Sequence, residues 1–453
     1  MKAMKKIASV VLSLLMIVSI IGVMPTETDA AIKVLTGKKT TITVGESYGI
    51  ATLAKGVKYS TSNSKVATVN SKGLVKGKKA GVAKIKLSAS AGTATVKVTV
   101  TPKTVKGVKA SVVSSTETAS NVTVSWKKVK GATGYYIFSS TNKSKGFKKV
   151  ATVKKGKTTK ATIKNVAGGA TYYYKVKAYA KAGKKAIASS EYSDVVSVKT
   201  WKLTWSDEFN GTSLDLNSWK YETGANGWGN EEFQDYTEGK NVKFENGCLV
   251  IIPRMEYDSV AKKPVYCSST RINTKGKREF TYGRMEIRAK ASKAKGSWSA
   301  GWMLGANNDT KTWPLCGEID IVEAMNGGVP QTIHCPYFNN QSTSHGNKNY
   351  DTGLTQATAA ADFHTYTAEW NDKSITFMVD GRVVGVYDPS KFSANIFNEA
   401  WVFDHSFFFI LNCAIGGNAA GTVTTDGWTL TGTNGNIQTY EDYYYVDYVR
   451  VYQ

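Results

Sequence analysis

The sequence predicts an all-β protein: two small β-sandwiches followed by an antiparallel sandwich of roughly 250 residues. Three observations carry this. Apolar and polar residues alternate in short runs along the chain, from TTITVG at 40–45 and AKIKLSA at 83–89 to YYYVDYVRVYQ at 443–453, and a period of two is the strand period. Gly and Asn punctuate the runs, as in NSKGLVKG at 70–77. No long helical period interrupts the final 250 residues.

Residues 1–30 are excluded from the fold. Lys2, Lys5 and Lys6 precede an apolar run from Ile7 to about Met24, and Thr28-Asp29-Ala30-Ala31 follows as a small-residue cleavage site. This is the pattern of a secretory signal peptide. No later stretch is long enough to span a bilayer, so an exported, extracellular, monomeric protein is expected.

Charge divides the remainder. Residues 31–200 hold 34 Lys, no Arg and four acids, a balance of +30; residues 201–453 hold 22 basic and 29 acidic residues, a balance of −7. Nucleic acid is disfavoured as a partner because Arg, the usual bidentate group for base and phosphate, is missing from the basic part. Two readings stay open: loose retention on an anionic cell-wall polymer, or a solvated surface of biased composition. The five cysteines all follow residue 247; their number is odd and their spacing fits no standard zinc pattern, so no pairing can be chosen.

Residues 31–101 alternate without aromatic clusters. The segment SNSKVATVNSKGLVKGKKAGVAKI resembles the bacterial Ig-like group-2 module. Residues 103–200 add aromatics: Trp126 and Tyr136 in NVTVSWKKVKGATGYYIFSS, and Tyr172, Tyr174 and Tyr179 in ATYYYKVKAYA. This segment resembles a fibronectin type III domain, whose aromatics are mainly core. Neither module carries acids, His or Cys arranged for chemistry, so both are expected to be spacers or attachment modules.

Residues 201–453 contain ten of the eleven Trp and every His and Cys. Within them, GEIDIVEAMNG at 317–327 sets Glu318, Asp320 and Glu323 in an apolar run. In an unbroken strand Glu318 and Asp320 share a face and Glu323 points the other way, among Ile319 and Ile321. A buried charge there is costly. One β-bulge between Asp320 and Glu323 returns the second glutamate to the face of the first. Three carboxylates on one face are suited to cleaving a glycosidic bond, which needs a nucleophile and an acid about 5–5.5 Å apart when configuration is retained. Close like charges also separate the pKa values. A Ca²⁺ site or a solvated acidic edge is the alternative.

Four blocks then carry a resemblance: LTWSDEFNGTSLDLNSWKYETGANGWGNEEFQDYT, RINTKGKREFTYGRMEIRAKASKAKGSWSAGWMLG, WPLCGEIDIVEAMNG and VDYVRVYQ. They resemble the bacterial laminarinases of glycoside hydrolase family sixteen over residues 203–453. The resemblance implies a β-jelly-roll that cleaves internal bonds of β-1,3-glucan or mixed β-1,3-1,4-glucan with retention, without a cofactor for the chemistry. It implies Glu318 as nucleophile, Glu323 as general acid and then base, and Asp320 as the group that orients them. It places Trp298 and Trp302 as sugar-stacking residues, Asn230 and Arg271 as hydrogen-bonding cleft residues, and His334 beside the catalytic centre. Glu232 either meets sugar or sits on a solvated edge. Ser299 and Gly301 stand where many relatives carry Pro and a bulky residue, which implies a more open wall near Trp302. A structural Ca²⁺ held by Glu208, the Gly247 carbonyl and Asp447 is implied by the resemblance alone. Hydrolysis of another polysaccharide such as agar, transglycosylation, and noncatalytic glucan binding are the competing functions.

Overall fold

Alternation decides the first module. Along strand Gly81–Ala89, Ala83, Ile85 and Leu87 are buried and Lys84 and Lys86 exposed; strand Gly92–Thr101 buries Val96, Val98 and Val100 in the same way. The two pair antiparallel at the centre of a four-stranded sheet with 58–61 and 39–43, the last running parallel to 92–101. A three-stranded sheet of 47–49, 74–77 and 67–69 supplies Ala67 and Val75 to the same core. The lysines take the outward positions because burying an ammonium without a partner costs far more than burying valine gains. This computed structural model describes residues 32–115, 118–325, 327–339, 348–392 and 394–453; the expected leader at 1–30 lies outside the described residues.

Between 109 and 199 the strands form a three-stranded sheet (160–167, 119–125, 109–115) and a five-stranded one (148–153, 134–140, 171–182, 185–188, with 196–199 also on 171–182). Trp126, Tyr174 and Tyr179 are buried, and the Trp126 ring lies 5.0 Å from that of Tyr135. These aromatics serve the core.

Residues 203–453 form two eight-stranded sheets and a smaller five-stranded one. The outer sheet orders 242–245, 248–251, 444–452, 283–290, 364–370, 375–379 and 382–387, with 203–207 also on 444–452. The cleft sheet orders 220–222, 271–273, 407–415, 297–305, 318–324, 330–334 and 348–351, with 279–280 also on 407–415. One apolar core joins them: Ile272, Met303, Ile319 and Leu411 from the cleft sheet meet Met285, Ile287, Trp370 and Val449 from the outer sheet. Each such side chain contributes about 1.5–3 kcal/mol on burial. Strand Phe407–Ile415 is buried along all nine residues and is the axis on which the cleft sheet is built.

The strand Glu318–Ala324 carries the expected irregularity. Its antiparallel register with Ser297–Gly305 pairs Trp302 with Asp320 but Gly301 with Val322, leaving Ile321 as the extra residue. Ile321 and Val322 consequently both enter the core, and Glu323 returns to the face of Glu318 and Asp320. A bulge leaves a ladder carbonyl without its strand partner. Here the buried Gln331 side chain supplies it, its Nε2 donating to the Ile321 carbonyl at 2.8 Å. The neighbouring strand thus pins the distortion that aims Glu323.

Candidate active site

A cleft of about 720 Å³ runs over the cleft sheet. Period-two geometry supplies its floor. Trp298, Ala300, Trp302 and Leu304 face it from one strand, and Pro330, Thr332 and His334 from another. Between them lie Glu318, Asp320 and Glu323. The side chain opposite Glu323 in the register is Ala300, the smallest of the four cleft-facing groups on its strand.

The carboxylates are unequally exposed. Asp320 is 1% exposed and Glu323 9%, while the Glu318 side chain keeps 17%. His334 lies opposite Glu318 in the register. Its Nε2 is 3.1 Å from Asp320 Oδ2, without hydrogen-bond alignment, and 3.7 Å from Glu318 Oε1. Burial, then the charge of Glu318 and a hydrogen bond with it, pushes the Asp320 carboxyl well above its ordinary value. Burial is also the first cause for Glu323, followed by the charge of Asp320; His334 and a hydrogen bond from Thr332 pull the other way without cancelling it. Presenting three acids on one face therefore shifts the buried ones toward their protonated forms, the direction that acid catalysis requires. Glu318, Asp320 and His334 also bring donor atoms within 4.8 Å of one another, so a metal ion could be held among them.

The polar residues expected in the cleft are there, but partly committed. Arg271 gives Nε to Glu222 at 2.5 Å, and its guanidinium lies over the rings of Trp228 and Trp302 at 4.8 and 5.0 Å. Asn230 donates one amide hydrogen to Glu232 at 3.2 Å. Glu232 is no solvated edge: it lines the cleft, and burial raises its pKa. The expectation of a more open wall near Trp302 is corrected. Ser299 and Gly301 face the core, and a Cβ on Gly301 would stand 2.8 Å from Ile287 Cδ1 of the outer sheet. Two of the three groups expected to hold Ca²⁺ have other partners: Arg450 grips both Glu208 oxygens at 2.9 and 2.7 Å, and Arg288 takes Asp447 Oδ2 at 2.5 Å.

Sequence reasoning missed three contributors. Trp228 stands at the cleft wall with its ring 5.0 Å from Tyr236. Trp313, 49% exposed, lines the cleft beside His334 with ring centroids 5.7 Å apart. Asn412, a polar residue in the apolar run FFFILNCAI, turns its amide into the cleft and accepts the Trp302 indole N–H at 2.8 Å. That run was the available signal, since an amide in a fully buried strand needs a partner. The five cysteines are free and buried.

An open groove floored by indoles, with buried carboxyls on one bulged strand, defines a polysaccharide-cleaving glycosidase. Residues 229–401 match the model of the glycosyl hydrolases family 16, and residues 18–100 that of the bacterial Ig-like domain (group 2). The chain is 36% identical over 281 residues to glucan endo-1,3-beta-glucosidase A1 of Niallia circulans, covering 55% of this chain and 38% of that one. It is 34% identical over 242 residues to a glucan endo-1,3-beta-glucosidase of Cryptopygus antarcticus, covering 50% and 87%, and 34% over 264 residues to a beta-glucanase of Rhodothermus marinus, covering 56% and 85%. The chain belongs to glycosyl hydrolase family 16, with an Ig-like module before the enzyme domain.

Proposed function

We infer that the protein is an exported endo-β-glucanase that hydrolyses β-1,3-glucan, mixed β-1,3-1,4-glucan or both, with retention, through a covalent glycosyl-enzyme. The observation that carries this is the placement of Glu318 and Glu323 on one cleft face with Asp320 between them. Glu318, the most exposed of the three, attacks the anomeric carbon. Glu323, whose proton burial retains, protonates the departing oxygen and then activates water. Trp298 and Trp302 offer flat apolar faces to sugar rings, while Asn230 and Arg271 hydrogen-bond hydroxyls with the hydrogens they have left. The names of the relatives support the substrate class. Reducing-sugar release from laminarin, lichenan, barley glucan and agarose, measured side by side, tests it. Release from the glucans is expected; release from agarose alone, glucan binding without products, or products longer than the substrate would point to the competing functions.

Asp320 is read as the group that sets the charge state of the pair. Where Asp320 is ionised its charge raises the Glu323 pKa, so Asp320→Asn, which cannot ionise, should move the alkaline limb of kcat/KM to lower pH, with a smaller loss of kcat than either glutamate variant. An alkaline limb that stays in place would remove this role.

The calcium reading is kept in a reduced form. Arg450 occupies the Glu208 carboxylate and Arg288 one Asp447 oxygen, so Glu208 would take part through its main-chain carbonyl, beside the Gly247 carbonyl and the other Asp447 oxygen. Hard oxygen donors of this kind suit Ca²⁺, which would join the two ends of the enzyme domain. Added Ca²⁺ should raise the melting temperature relative to EDTA, and equal temperatures would exclude the ion.

Residues 103–200 are taken as a fibronectin type III module, a reading supported by the two sheets between 109 and 199. With the Ig-like module it forms a lysine-rich spacer that holds the enzyme loosely on anionic wall polymer. Sedimentation of the full chain with cell walls should therefore fall as salt rises; salt-independent binding would contradict the electrostatic account.

A further inference from the structure

The cleft contains a fourth carboxylate that double displacement does not use. Glu232 comes from the segment 224–236, and the directions of the hydrogen bonds that reach its Oε2 are determined. An indole N–H only donates, and that of Trp302 donates to Asn412 Oδ1 at 2.8 Å. Asn412 must then turn its NH₂ the other way, and Nδ2 donates to the Tyr236 hydroxyl oxygen at 2.9 Å. With its oxygen accepting there, Tyr236 directs its own proton onward to Glu232 Oε2 at 3.5 Å. Gln234 Nε2 donates to the same oxygen at 2.7 Å, and Asn230 Nδ2 to Oε1 at 3.2 Å. The Gln234 orientation is set independently, because its Oε1 accepts the Ile415 N–H at 2.7 Å. Tyr236, Gln234 and Asn412 are all buried.

Every link in this chain therefore donates toward Glu232, and a chain of donors must end on an acceptor with a lone pair for each incoming hydrogen. An ionised carboxylate meets that condition. A glutamine of the same shape would set an N–H against one of the incoming donors. Burying a carboxylate is expensive, and three side-chain donors converge on this one.

We propose that Glu232 is a positioning residue of the sugar cleft: through Tyr236 and Asn412 it holds the indole of Trp302 at one orientation, and through its other oxygen it holds the amide of Asn230. The proposal rests on the reading of Trp302 as a sugar-stacking residue. Without the relay the indole keeps its stacking face but loses the bond that sets its plane. The loss appears in sugar binding more than in the chemical step.

The test is kcat and KM on a soluble β-1,3-glucan for the full chain and for Glu232→Gln, Tyr236→Phe, Trp302→Phe and the double variant Glu232→Gln/Trp302→Phe. Phenylalanine at 302 keeps an aromatic face but has no N–H for the relay to hold. Each single change should raise KM about tenfold, the size expected for a hydrogen bond to a charged group, with kcat changed much less. The double variant should be no worse than the worse single one, because both remove the same restraint. Tyr236→Phe cuts the relay without altering a charge and decides the matter if Glu232→Gln does not fold. The Trp302 indole N–H resonance, identified by its absence from Trp302→Phe, should move in both Glu232→Gln and Tyr236→Phe. Unchanged KM in those two variants, an unmoved resonance, or effects that multiply in the double variant would each overturn the proposal. Unchanged KM in Trp302→Ala would instead remove the stacking reading, and the proposal with it.

Discussion

Glu318→Gln is expected to abolish the glycosyl-enzyme, because an amide is a poor nucleophile, while the fold survives. Glu323→Gln should cost about a hundred- to ten-thousandfold on natural glucan, the usual worth of a positioned acid–base group. The two losses differ in kind. Glucan needs its leaving oxygen protonated, so it depends on Glu323 in the first step. An aryl β-glycoside with a good leaving group needs little such help, and the Glu323 variant should still form the intermediate from it. Azide can then attack without a base, giving a β-azide by double inversion. In the Glu318 variant azide takes the place of the nucleophile and should give the α-azide. NMR of the anomeric proton reads the result. The α-product from the Glu323 variant and the β-product from the Glu318 variant would reverse the assigned roles. The geometry favours the assignment as stated, since Glu318 keeps the larger exposure and burial holds the proton on Glu323.

Glu323→Gln should also stabilise the protein that it inactivates. Burial and the charges of Asp320 and Glu318 lift the Glu323 pKa well above its ordinary 4.5. In the unfolded chain the group titrates near that ordinary value. Between about 4.5 and the raised folded value the unfolded state therefore binds fewer protons, and stability falls as pH rises through that window. Below 4.5 both states hold the proton and the penalty vanishes. Glutamine has no proton to lose, so the variant should melt higher than the parent, by several degrees at neutral pH if the relief is about 1–2 kcal/mol. The gap should close as pH falls toward 4.5. Scanning calorimetry at pH 4.5, 6 and 7.5 checks this; equal melting temperatures at all three would show that the native environment does not penalise the charge. Asp320, pushed the same way by burial and Glu318, should behave alike.

Much of the catalytic strand was legible because its information is local. The two-residue period assigns faces, and three acids separated by branched apolar residues admit one repair, which the observed register at Gly301 and Trp302 contains. Trp298 and Trp302 share a face for the same reason. The same rule, applied to Ser299 and Gly301, would have put them in the core; the more open wall came from likeness to relatives and failed against the alternation of the strand. The role of Glu232 was left open because, although Asn230, Gln234 and Tyr236 lie within four residues of it, the rest of the relay depends on strands far along the chain. Asn412 is 110 residues from Trp302 and 176 from Tyr236, and no local pattern relates them.

The sequence by itself determined the strands, the lysine-covered modules, the bulge and the acids that face the cleft, because each follows from neighbours a few residues apart and from the cost of burying charge. Only the tertiary structure decided which of those acids are pushed toward their protonated forms, which cleft side chains are already committed to partners, and that Gln331 supports the bulge while Glu232 gathers the hydrogen bonds behind Trp302. Desolvation depends on everything packed around a group, and a hydrogen bond on atoms meeting within about 3 Å; both are properties of strands brought together, which spacing along one strand does not contain.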